Sequence, residues 1–275
     1  MKDNILDLIR EKYHSLNSAE KKAASFVLAN CSRVERMSIN ELALGAQVSE
    51  ATVTRFCKSL SLPGFFAFKL ELAKACDERI PRRDGENTRL KDGILQDARS
   101  AIEETVALAS KEKIESAVSM IEKAERVIAV GYGTTALAAK EFVSIFSRAS
   151  LKFFSVEDVH TQMASLALLT EKDLLVLFSY SGATVEGAEL LKYAKDKNIP
   201  TLLITHFERS PSSQFADAVI SYAVDEHPYS AGSVPVRIAQ LTLMDMLWRE
   251  YERRNGQSCY ESMQRVTDAI AKKHI

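Results

Sequence analysis

The fold is decided by the stretch Leu174-Leu175-Val176-Leu177-Phe178-Ser179-Tyr180-Ser181-Gly182-Ala183-Thr184. Its five consecutive apolar residues, bounded by turn residues, predict a strand that is buried on both faces, as in a parallel sheet. Small hydroxyl residues and a glycine then separate this strand from a helix-forming segment that begins near Val185. In open α/β folds, ligands bind at this place, outside the carboxyl ends of the strands.

The polar end of the stretch, residues 179–184, has the composition of an anion-binding loop. Ser179, Ser181 and Thr184 supply hydroxyl donors, and Gly182 lets the backbone approach a ligand closely. The start of the following helix adds free backbone N–H groups and a dipole that favours an anion, phosphate above all. The alternative is an ordinary turn in which a Ser or Thr caps the helix. The stretch alone does not separate these two interpretations.

Strands and helical segments alternate on both sides of this stretch. Four further strands are predicted, at residues 127–130, 151–156, 201–205 and 218–224. Such alternation is typical of a doubly wound parallel sheet. We therefore predict a five-stranded parallel sheet within residues 94–275. The helical pattern begins at Ile94, and a long helix (Val236–Arg253) and a terminal helix (Cys259–Lys273) end the chain.

A second polar segment follows the first of these strands, where Gly131 and Gly133 precede Thr134 and Thr135. The dinucleotide fingerprint Gly-x-Gly-x-x-Gly requires a third glycine at the position of Ala136, and an acidic residue that ends the next strand cleanly. Neither is present, and the chain has no Gly-Lys-Ser/Thr phosphate-binding motif. The pattern is therefore weak support for a nucleotide.

The composition is that of an ordinary globular protein, with 275 residues, 46% hydrophobic and 27% charged. The net charge of −1 means that any affinity for nucleic acid must come from a local patch of basic residues.

The sequence has neither a signal-peptide pattern nor an apolar run of membrane-spanning length, so we expect a cytoplasmic protein without membrane association. Four scattered cysteines predict reduced thiols, and five histidines share no metal-ligand spacing, so we expect neither a metal nor a cofactor.

Residues 1–80 have the pattern of a small helical domain. Ser38 and Glu41 form a capping box at the start of one short helix, and Ser49 caps a second that runs to Leu60. Two short helices joined by a tight turn predict a helix-turn-helix. Gln47 stands in the turn, where glycine is usual because the backbone is left-handed, and it costs roughly 1 kcal/mol there without forbidding the turn.

The apolar positions of the two helices agree with this prediction. The residues expected to pack where the helices cross are Leu42, Ala43, Ala46, Val48, Val53 and Phe56. The face of the second helix that they leave uncovered carries Ser49, Glu50, Thr52, Arg55 and Lys58. Such a face can enter the major groove of double-stranded DNA, where Arg and Lys reach guanine or phosphate. The alternative is a plain three- or four-helix bundle with a solvated polar face.

Residues 81–93 contain proline, glycine and dense charge with few apolar residues, which indicates a linker between two domains. We therefore predict a helix-turn-helix domain at 1–80, a linker at 81–93 and an α/β domain at 94–275.

Three segments of the C-terminal part together resemble the SIS (sugar isomerase) domain. They are Gly131-Tyr132-Gly133-Thr134-Thr135, Ser179-Tyr180-Ser181-Gly182-Ala183-Thr184, and Ser210-Pro211 ahead of Ala216-Asp217. Residues 49–60, followed by Gly64-Phe65, are similar to the helix-turn-helix of RpiR-type regulators. The order of helix-turn-helix and then SIS domain covers nearly the whole chain.

The resemblance implies a transcription factor that senses a phosphorylated sugar with an α/β domain of flavodoxin-like strand order. It implies three kinds of partner: a double-stranded DNA operator, a phosphosugar effector, and further copies of the chain in a homodimer or homotetramer. The ligand-binding residues that it implies are Thr134, Thr135, Ser179, Ser181, Gly182, Thr184 and His160. For His160 a hydrogen-bonded structural role is the alternative. Arg237 is placed near the subunit interface and the pocket mouth.

Two departures from related isomerases concern catalysis. Ala183 stands where Glu is commoner, and Val234-Pro235 stands where Thr-Lys is common. Because a ring-opening isomerase needs a general base and a proton carrier at the sugar, these changes favour binding without turnover, although Glu226 and His227 remain as a residual pair. We therefore expect a regulator that is not an enzyme. The alternative is a phosphosugar isomerase or lyase with a helical N-terminal appendage.

Overall fold

The computed structural model describes residues 4–77, 87–224 and 232–271, without the side chains of residue 77 and residues 87–91. The described residues divide into two compact units: residues 4–77 and 87–94 with 232–233 form the first, and residues 95–224 with 234–271 form the second. No helix in the described residues is both long enough and apolar enough to span a lipid bilayer.

The N-terminal unit is entirely helical in its described part. Its helices are α1 (Ile5–Lys12), a 3₁₀ turn (Tyr13–Ser15), α2 (Ser18–Ala29), α3 (Cys31–Val34), α4 (Ile39–Gly45), α5 (Glu50–Ser59) and α6 (Phe65–Asp77). Local sequence sets the helix starts, because Ser38 forms a complete capping box with Glu41 at the start of α4. At the start of α5, Ser49 Oγ accepts a hydrogen bond from Thr52 N–H at 3.2 Å.

The turn between α4 and α5 has the predicted left-handed backbone. Gln47 has φ +56°, and the N–H of Val48 donates to the carbonyl of Ala43 at 2.9 Å. Val53 and Phe56 are fully buried beneath the turn. The predicted helix-turn-helix is therefore confirmed, including the residue that occupies its strained position.

Replacing Gln47 by glycine should stabilise the N-terminal unit. The change relieves the left-handed strain, but it also makes the unfolded chain more flexible, so we expect a net gain of about 0.5–1 kcal/mol. Urea unfolding followed by circular dichroism measures the free energy of unfolding. In the matched control, Ala51→Gly within α5 should lower it by about the same amount. A loss of stability in Gln47→Gly would show that the glutamine side chain is needed at the turn.

The C-terminal unit is an α/β sandwich. Its elements are α7 (Asn87–Leu108), α8 (Lys111–Lys123), β1 (Val127–Gly131), α9 (Thr134–Phe146), β2 (Phe153–Ser155), α10 (Val159–Ala167), β3 (Leu174–Ser179), α11 (Val185–Asp196), β4 (Thr201–Thr205), a 3₁₀ turn (Ser213–Phe215), β5 (Ala218–Ser221) and α12 (Val234–Ala271). The strand order is β2-β1-β3-β4-β5, and all pairs are parallel. The five-stranded parallel sheet and its flavodoxin-like order are thus confirmed.

The central strand β3 is buried along its whole length. Its side chains alternate between two apolar cores on opposite faces of the sheet. Val176 and Phe178 belong to the core that contains residues of α8, α9 and α12, and the ring of Phe178 lies 5.8 Å from that of Phe142 on α9. Leu177 belongs to the core that contains residues of α10 and α11. A strand covered on both faces must be apolar throughout, which explains its uninterrupted hydrophobic run.

Two helix boundaries differ from the predictions. Helix α7 begins at Asn87, inside the segment predicted as a linker, and residues 81–86 of that segment lie outside the described residues. Its charged residues are good helix formers when exposed, so dense charge did not distinguish a linker from a solvated helix. The two predicted final helices are both present within α12 and are separated by a kink at Gly256, with φ 19° and ψ −96°, but the second helix begins directly after this kink and not at Cys259.

Candidate functional site

The loop between β3 and α11 is a tight turn held by its own hydroxyl groups. Ser179 Oγ accepts a hydrogen bond from Gly182 N–H at 3.1 Å, and Ser181 Oγ accepts one from Ala183 N–H at 3.2 Å. Gly182 has φ +58°, a conformation that favours glycine. Because both serines accept from the backbone, each keeps its hydroxyl proton for donation, and a bound anion is a suitable acceptor.

The N-terminus of α11 is not capped by a side chain. Thr184 occupies the N-cap position with extended backbone, and its hydroxyl accepts no hydrogen bond from the first turn. By contrast, Ser38, Ser49 and Asp158 all cap their helices. The first N–H groups of an α-helix have no intrahelical partner. The turn therefore differs from an ordinary capped turn, because no side chain at the N-cap accepts a hydrogen bond from these N–H groups.

The loop after β4 braces the β3–α11 loop. Ser212 N–H donates to the carbonyl of Gly182 at 2.9 Å. A Cβ atom added to Gly182 would lie 2.5 Å from Ser210 Cβ and closer still to Ser210 Oγ. The hydroxyls of Ser210 and Ser212 are buried and have no hydrogen-bond partner in the described part of the chain. Sequence reasoning noted Ser210-Pro211 only as part of a resemblance, and missed that this segment supports Gly182.

Tyr180 and His206 form a second link between the two loops. The N–H of His206 donates to the carbonyl of Tyr180 at 3.1 Å, and Thr205 Oγ1 donates to the same oxygen at 3.1 Å. The two rings stack with centroids 5.1 Å apart and planes 9° apart. His206 Nδ1 lies 3.1 Å from the carbonyl oxygen of Tyr222. His206 is therefore held in the framework around the loop.

The loop after β1 lies beside the β3–α11 loop, because β1 and β3 are neighbours with Gly131 opposite Phe178. Its hydroxyl residues have different environments. Thr135 is buried, and its Oγ1 accepts from Tyr132 N–H at 3.0 Å and donates to Tyr132 O at 2.9 Å. This hydroxyl therefore closes its own loop. Thr134 is exposed and lines a cavity of about 230 Å³.

That cavity lies between α9 and α12. Besides Thr134, its polar lining consists of Glu141, Arg237 and Gln240. Gln240 Nε2 donates to the Tyr222 hydroxyl at 3.0 Å, whereas Arg237 is exposed. The sequence placed Arg237 near a pocket mouth only by resemblance, and the structure puts it at a cavity edge with Thr134.

Tyr132 is the most perturbed acid near these loops. Burial, and then the carboxylates of Glu186 and Glu189, raise the pKa of Tyr132 to about 12. Its hydroxyl oxygen is buried without a hydrogen-bond partner among the described residues. The phenol stays protonated at neutral pH, so it does not act as a general base.

His160, another predicted ligand residue, lies on α10 and not in the β3–α11 loop. It is the second residue of α10 and its side chain is exposed. Helix α10 follows β2, which is separated from β3 by β1. In the described residues, no hydrogen bond joins His160 to residues 179–184. A contact between this histidine and a ligand therefore stays a prediction.

The predicted DNA-binding face on α5 is only partly exposed. Ser49, Arg55 and Lys58 are exposed as expected. Glu50 is half-buried and accepts a hydrogen bond from Asn40 Nδ2 on α4 at 2.7 Å. Thr52 is 4% exposed, so its predicted place on the uncovered face is wrong.

Thr52 instead organises the polar residues around it. Its Oγ1 lies 2.9 Å from Ser49 Oγ and accepts from Arg55 Nη2 at 3.1 Å. The side chain turns inward because its hydroxyl is satisfied by these neighbours on the same helix turn. It thereby restrains the exposed guanidinium of Arg55.

The described part of the chain brings together no group of three or more His, Cys, Asp or Glu side chains that could hold a metal ion.

Comparison with protein families gives a match in each unit. Residues 3–79 match the helix-turn-helix domain of the rpiR family, and residues 120–248 match the SIS domain. The HTH-type transcriptional regulator TTE0211 of Caldanaerobacter subterraneus subsp. tengcongensis is 28% identical over 99% of both chains. The HTH-type transcriptional regulator HexR of Escherichia coli is 28% identical over 97% of this chain and 94% of its own.

Solved structures show the same fold. The NanR protein of Vibrio vulnificus, solved in complex with ManNAc-6P, superposes with a TM-score of 0.90 at 23% identity, over 99% of this chain and 100% of that one. The sugar isomerase domain of an RpiR transcription factor from Sphaerobacter thermophilus gives a TM-score of 0.60 at 22% identity, over 66% of this chain and 99% of that one.

Proposed function

We propose that this chain, which belongs to the rpiR family of helix-turn-helix regulators with a SIS domain, controls transcription in response to a phosphorylated sugar. One observation carries the proposal. The same chain presents the exposed cations Arg55 and Lys58 on the second helix of a helix-turn-helix, and an uncapped helix N-terminus behind the serine-rich loop 179–184. The first feature suits DNA and the second suits a phosphate.

The DNA-binding part of the proposal concerns residues 1–80. Helix α5 enters the major groove, with Arg55 and Lys58 as the residues that reach base edges or phosphates. Ser49 and Glu50 lie at its N-terminal end, and Thr52 acts through Arg55. A homodimer or homotetramer would read a two-fold symmetric operator with two such helices. Because it acts on DNA, we place the protein in the cytoplasm.

The effector-binding part concerns residues 94–275. The phosphate is bound by the hydroxyls of Ser179, Ser181 and Thr184 and by the N–H groups at the start of α11. The sugar extends toward Thr134 and the cavity beside it. The complex of Vibrio vulnificus NanR with ManNAc-6P supports the class of ligand, a phosphorylated sugar.

The effector changes DNA affinity only if it binds the DNA-competent and DNA-incompetent arrangements of the protein unequally. In our proposal the segment 81–93, together with α7, transmits that difference between the two domains.

We propose that the SIS domain binds its ligand without turning it over. Ala183 offers no carboxylate in the loop, Val234 and Pro235 begin α12 where an isomerase tends to carry Thr-Lys, and Tyr132 stays protonated. Glu226 and His227, the residual pair considered from the sequence, lie outside the described residues. Turnover of any phosphosugar by the purified protein would replace this proposal with the isomerase or lyase alternative.

Two measurements test the proposed function. Operator duplexes selected from a random library should bind with a clear sequence preference and a steep dependence on salt. Thermal unfolding with a panel of hexose phosphates and amino-sugar phosphates should show at least one ligand that raises the Tm, because only a ligand of the folded state does so. Binding to all duplexes alike, or an unchanged Tm across the panel, would contradict the corresponding part of the proposal.

Replacing Ser181 by alanine should weaken the binding of that ligand. The change removes a hydroxyl donor to the phosphate, and a hydrogen bond to a charged group contributes about 1.5–3 kcal/mol, or roughly 10- to 100-fold in Kd. Isothermal titration calorimetry with the ligand found in the panel measures the loss. The matched control is Ser147→Ala at the end of α9, where the hydroxyl donates to the Ser144 carbonyl. Equal affinities in the two variants would exclude Ser181 from the phosphate site.

A further inference from the structure

The hydroxyl of Thr105 joins helix α7 to the end of strand β5. Thr105 is completely buried, in line with the buried residues Ala101 and Ala109 one turn to either side. Its Oγ1 accepts a hydrogen bond from Ala223 N–H at 3.2 Å and donates one to the Ala223 carbonyl oxygen at 3.1 Å. Ala223 follows β5 by two residues. One side chain on α7 thus binds both backbone polar groups of a residue that is 118 positions away in the chain.

The backbone next to Ala223 is hydrogen-bonded to the loop after β4. His206 Nδ1 lies 3.1 Å from the carbonyl oxygen of Tyr222. His206 is in turn hydrogen-bonded to Tyr180 in the β3–α11 loop, and the two rings stack. Since Tyr222 and Ala223 are joined by a peptide bond, a continuous series of contacts connects the proposed phosphate site to Thr105.

The cavity proposed for the sugar is connected to the same tyrosine. Tyr222 is completely buried, and its hydroxyl accepts a hydrogen bond from Gln240 Nε2 at 3.0 Å. Gln240 lines the cavity together with Thr134. Tyr222 is therefore linked to both parts of the proposed effector site, and it is covalently joined to the residue that Thr105 binds.

Helix α7 receives these contacts. It is a continuous helix of 22 residues that begins at Asn87, in the first unit, and ends at Leu108, in the second. A regular helix moves as a rigid element, because its backbone hydrogen bonds lie within the helix itself. A shift at Thr105 therefore displaces the helix and not only its own turn.

An ion pair makes a second, weaker connection between the same regions. Lys113, in the first turn of α8, pairs with Glu208 in the loop after β4, and the two side chains are 38% and 49% exposed. Solvent and salt screen an exposed ion pair, whereas the hydrogen bonds of Thr105 lie in the buried interior. The Thr105 hydroxyl is therefore the stronger of the two connections.

We propose that the Thr105–Ala223 pair couples the effector site to α7 and thereby controls DNA binding. An effector in the β3–α11 loop and the cavity shifts Tyr180 and Gln240, and Tyr222 moves with both. The Ala223 backbone then keeps or loses the Thr105 hydroxyl. Close packing leaves few intermediate positions, so the pair has two discrete arrangements, which the DNA-competent and DNA-incompetent forms adopt in different proportions. The inference rests on the proposed function and names the contact through which the effector acts.

Replacing Thr105 by valine tests the coupling, because valine keeps the branched shape and removes the hydroxyl. The probe is the hexose phosphate or amino-sugar phosphate that raises the Tm of the unmodified protein most. Fluorescence anisotropy of the full-length protein measures operator affinity without and with saturating probe, and their ratio is the coupling factor, typically about 5- to 150-fold. In Thr105→Val this factor should fall by about 3- to 10-fold. Calorimetry should find the Kd of the probe within about threefold of the unmodified value.

Three further variants separate the hydroxyl from its surroundings. Thr105→Ser keeps the hydroxyl without the methyl group and should retain most of the coupling factor. Thr242→Val is the matched control, because the Thr242 hydroxyl donates to the Ile238 carbonyl within its own helix at 2.8 Å. Lys113→Gln should lower the factor by less than about twofold. Equal responses in Thr105→Val and Thr242→Val, or no rescue by Thr105→Ser, would overturn the inference.

Hydrogen exchange of the unmodified protein tests the coupling without a substitution. The Ala223 N–H is protected by Thr105 Oγ1, so saturating probe should change the exchange rates of peptides that contain Ala223 or Thr105 several-fold. In Thr105→Val the change should persist near Tyr222 and be absent from α7. Unchanged exchange in α7 of the unmodified protein would contradict the coupling.

Failure of this inference differs from failure of the proposed function. If no compound of the panel changes the Tm of the unmodified protein or its affinity for the operator, the proposed function is wrong, and the coupling is wrong with it. If the unmodified protein responds to the probe and Thr105→Val responds equally, only the coupling through Thr105 is excluded.

Discussion

Replacing Gly182 by alanine should abolish the phosphosugar-dependent rise in Tm while leaving the protein folded. Gly182 has φ +58°, and an added Cβ would collide with Ser210. The loop must then shift, which removes the N–H groups and hydroxyls of residues 179–184 from their positions around the phosphate. Losing two charge-assisted hydrogen bonds, at about 1.5–3 kcal/mol each, weakens binding by more than about 100-fold. Thermal unfolding and calorimetry with the same ligand measure both quantities.

A double variant separates the collision from the backbone strain. Ser210→Gly removes the colliding side chain, and the Ser210 hydroxyl has no hydrogen-bond partner in the described residues. In Gly182→Ala/Ser210→Gly only the left-handed strain remains, roughly 1–2 kcal/mol. We therefore expect the double variant to recover part of the ligand response. Ser210→Gly alone should bind nearly as the unmodified protein does. Normal ligand binding by the single Gly182→Ala variant would show that the phosphate does not bind at this loop.

Replacing Arg55 by alanine should weaken operator binding by about 10- to 100-fold, the usual contribution of a bidentate base contact. Arg55 is exposed on α5, and Thr52 Oγ1 restrains its guanidinium. If Arg55 reads a base, its loss also reduces the preference for the selected operator over random DNA. Fluorescence anisotropy with both duplexes at several salt concentrations measures affinity, specificity and salt dependence together.

Two further variants distinguish a base contact from a phosphate contact. Lys58→Ala should weaken binding to all duplexes alike and reduce the salt slope by about one, as expected for a lost phosphate contact. Thr52→Val should reproduce part of the Arg55→Ala effect, because it frees the guanidinium without removing it. Arg10→Ala, which disrupts an exposed ion pair with Asp7 on α1, is the matched control. If Arg55→Ala binds the operator as tightly as Arg10→Ala does, the recognition helix has been assigned wrongly.

Local signals in the sequence were sufficient for the elements and for much of the candidate site. Hydroxyl caps and hydrophobic periodicity located α4 and α5, and the left-handed turn at Gln47 followed from the spacing between them. An apolar run ending in Ser-Tyr-Ser-Gly located β3 and its loop. These predictions depend only on residues that are close together in the chain, so a short stretch of sequence is sufficient to make each of them.

For residues 81–93, dense charge was the main signal in the sequence, and it did not distinguish a linker from a helix. Residues 81–93 were predicted as a linker, yet from Asn87 onward they are helical. Exposed charged residues stabilise a solvated helix as well as a mobile chain, so composition alone did not separate the two.

By itself, the sequence determined a helix-turn-helix followed by a parallel α/β domain with a serine-rich loop at the end of its central strand. Only the tertiary structure decided which side chains turn inward and which distant residues meet. It buried Thr52, placed Ser210 against Gly182, and stacked the ring of His206 on that of Tyr180. These contacts join residues far apart in the chain, or depend on a side chain finding partners within a packed unit. The physical reason is that helices and turns arise from local hydrogen bonds, whereas such contacts exist only once the apolar cores have packed.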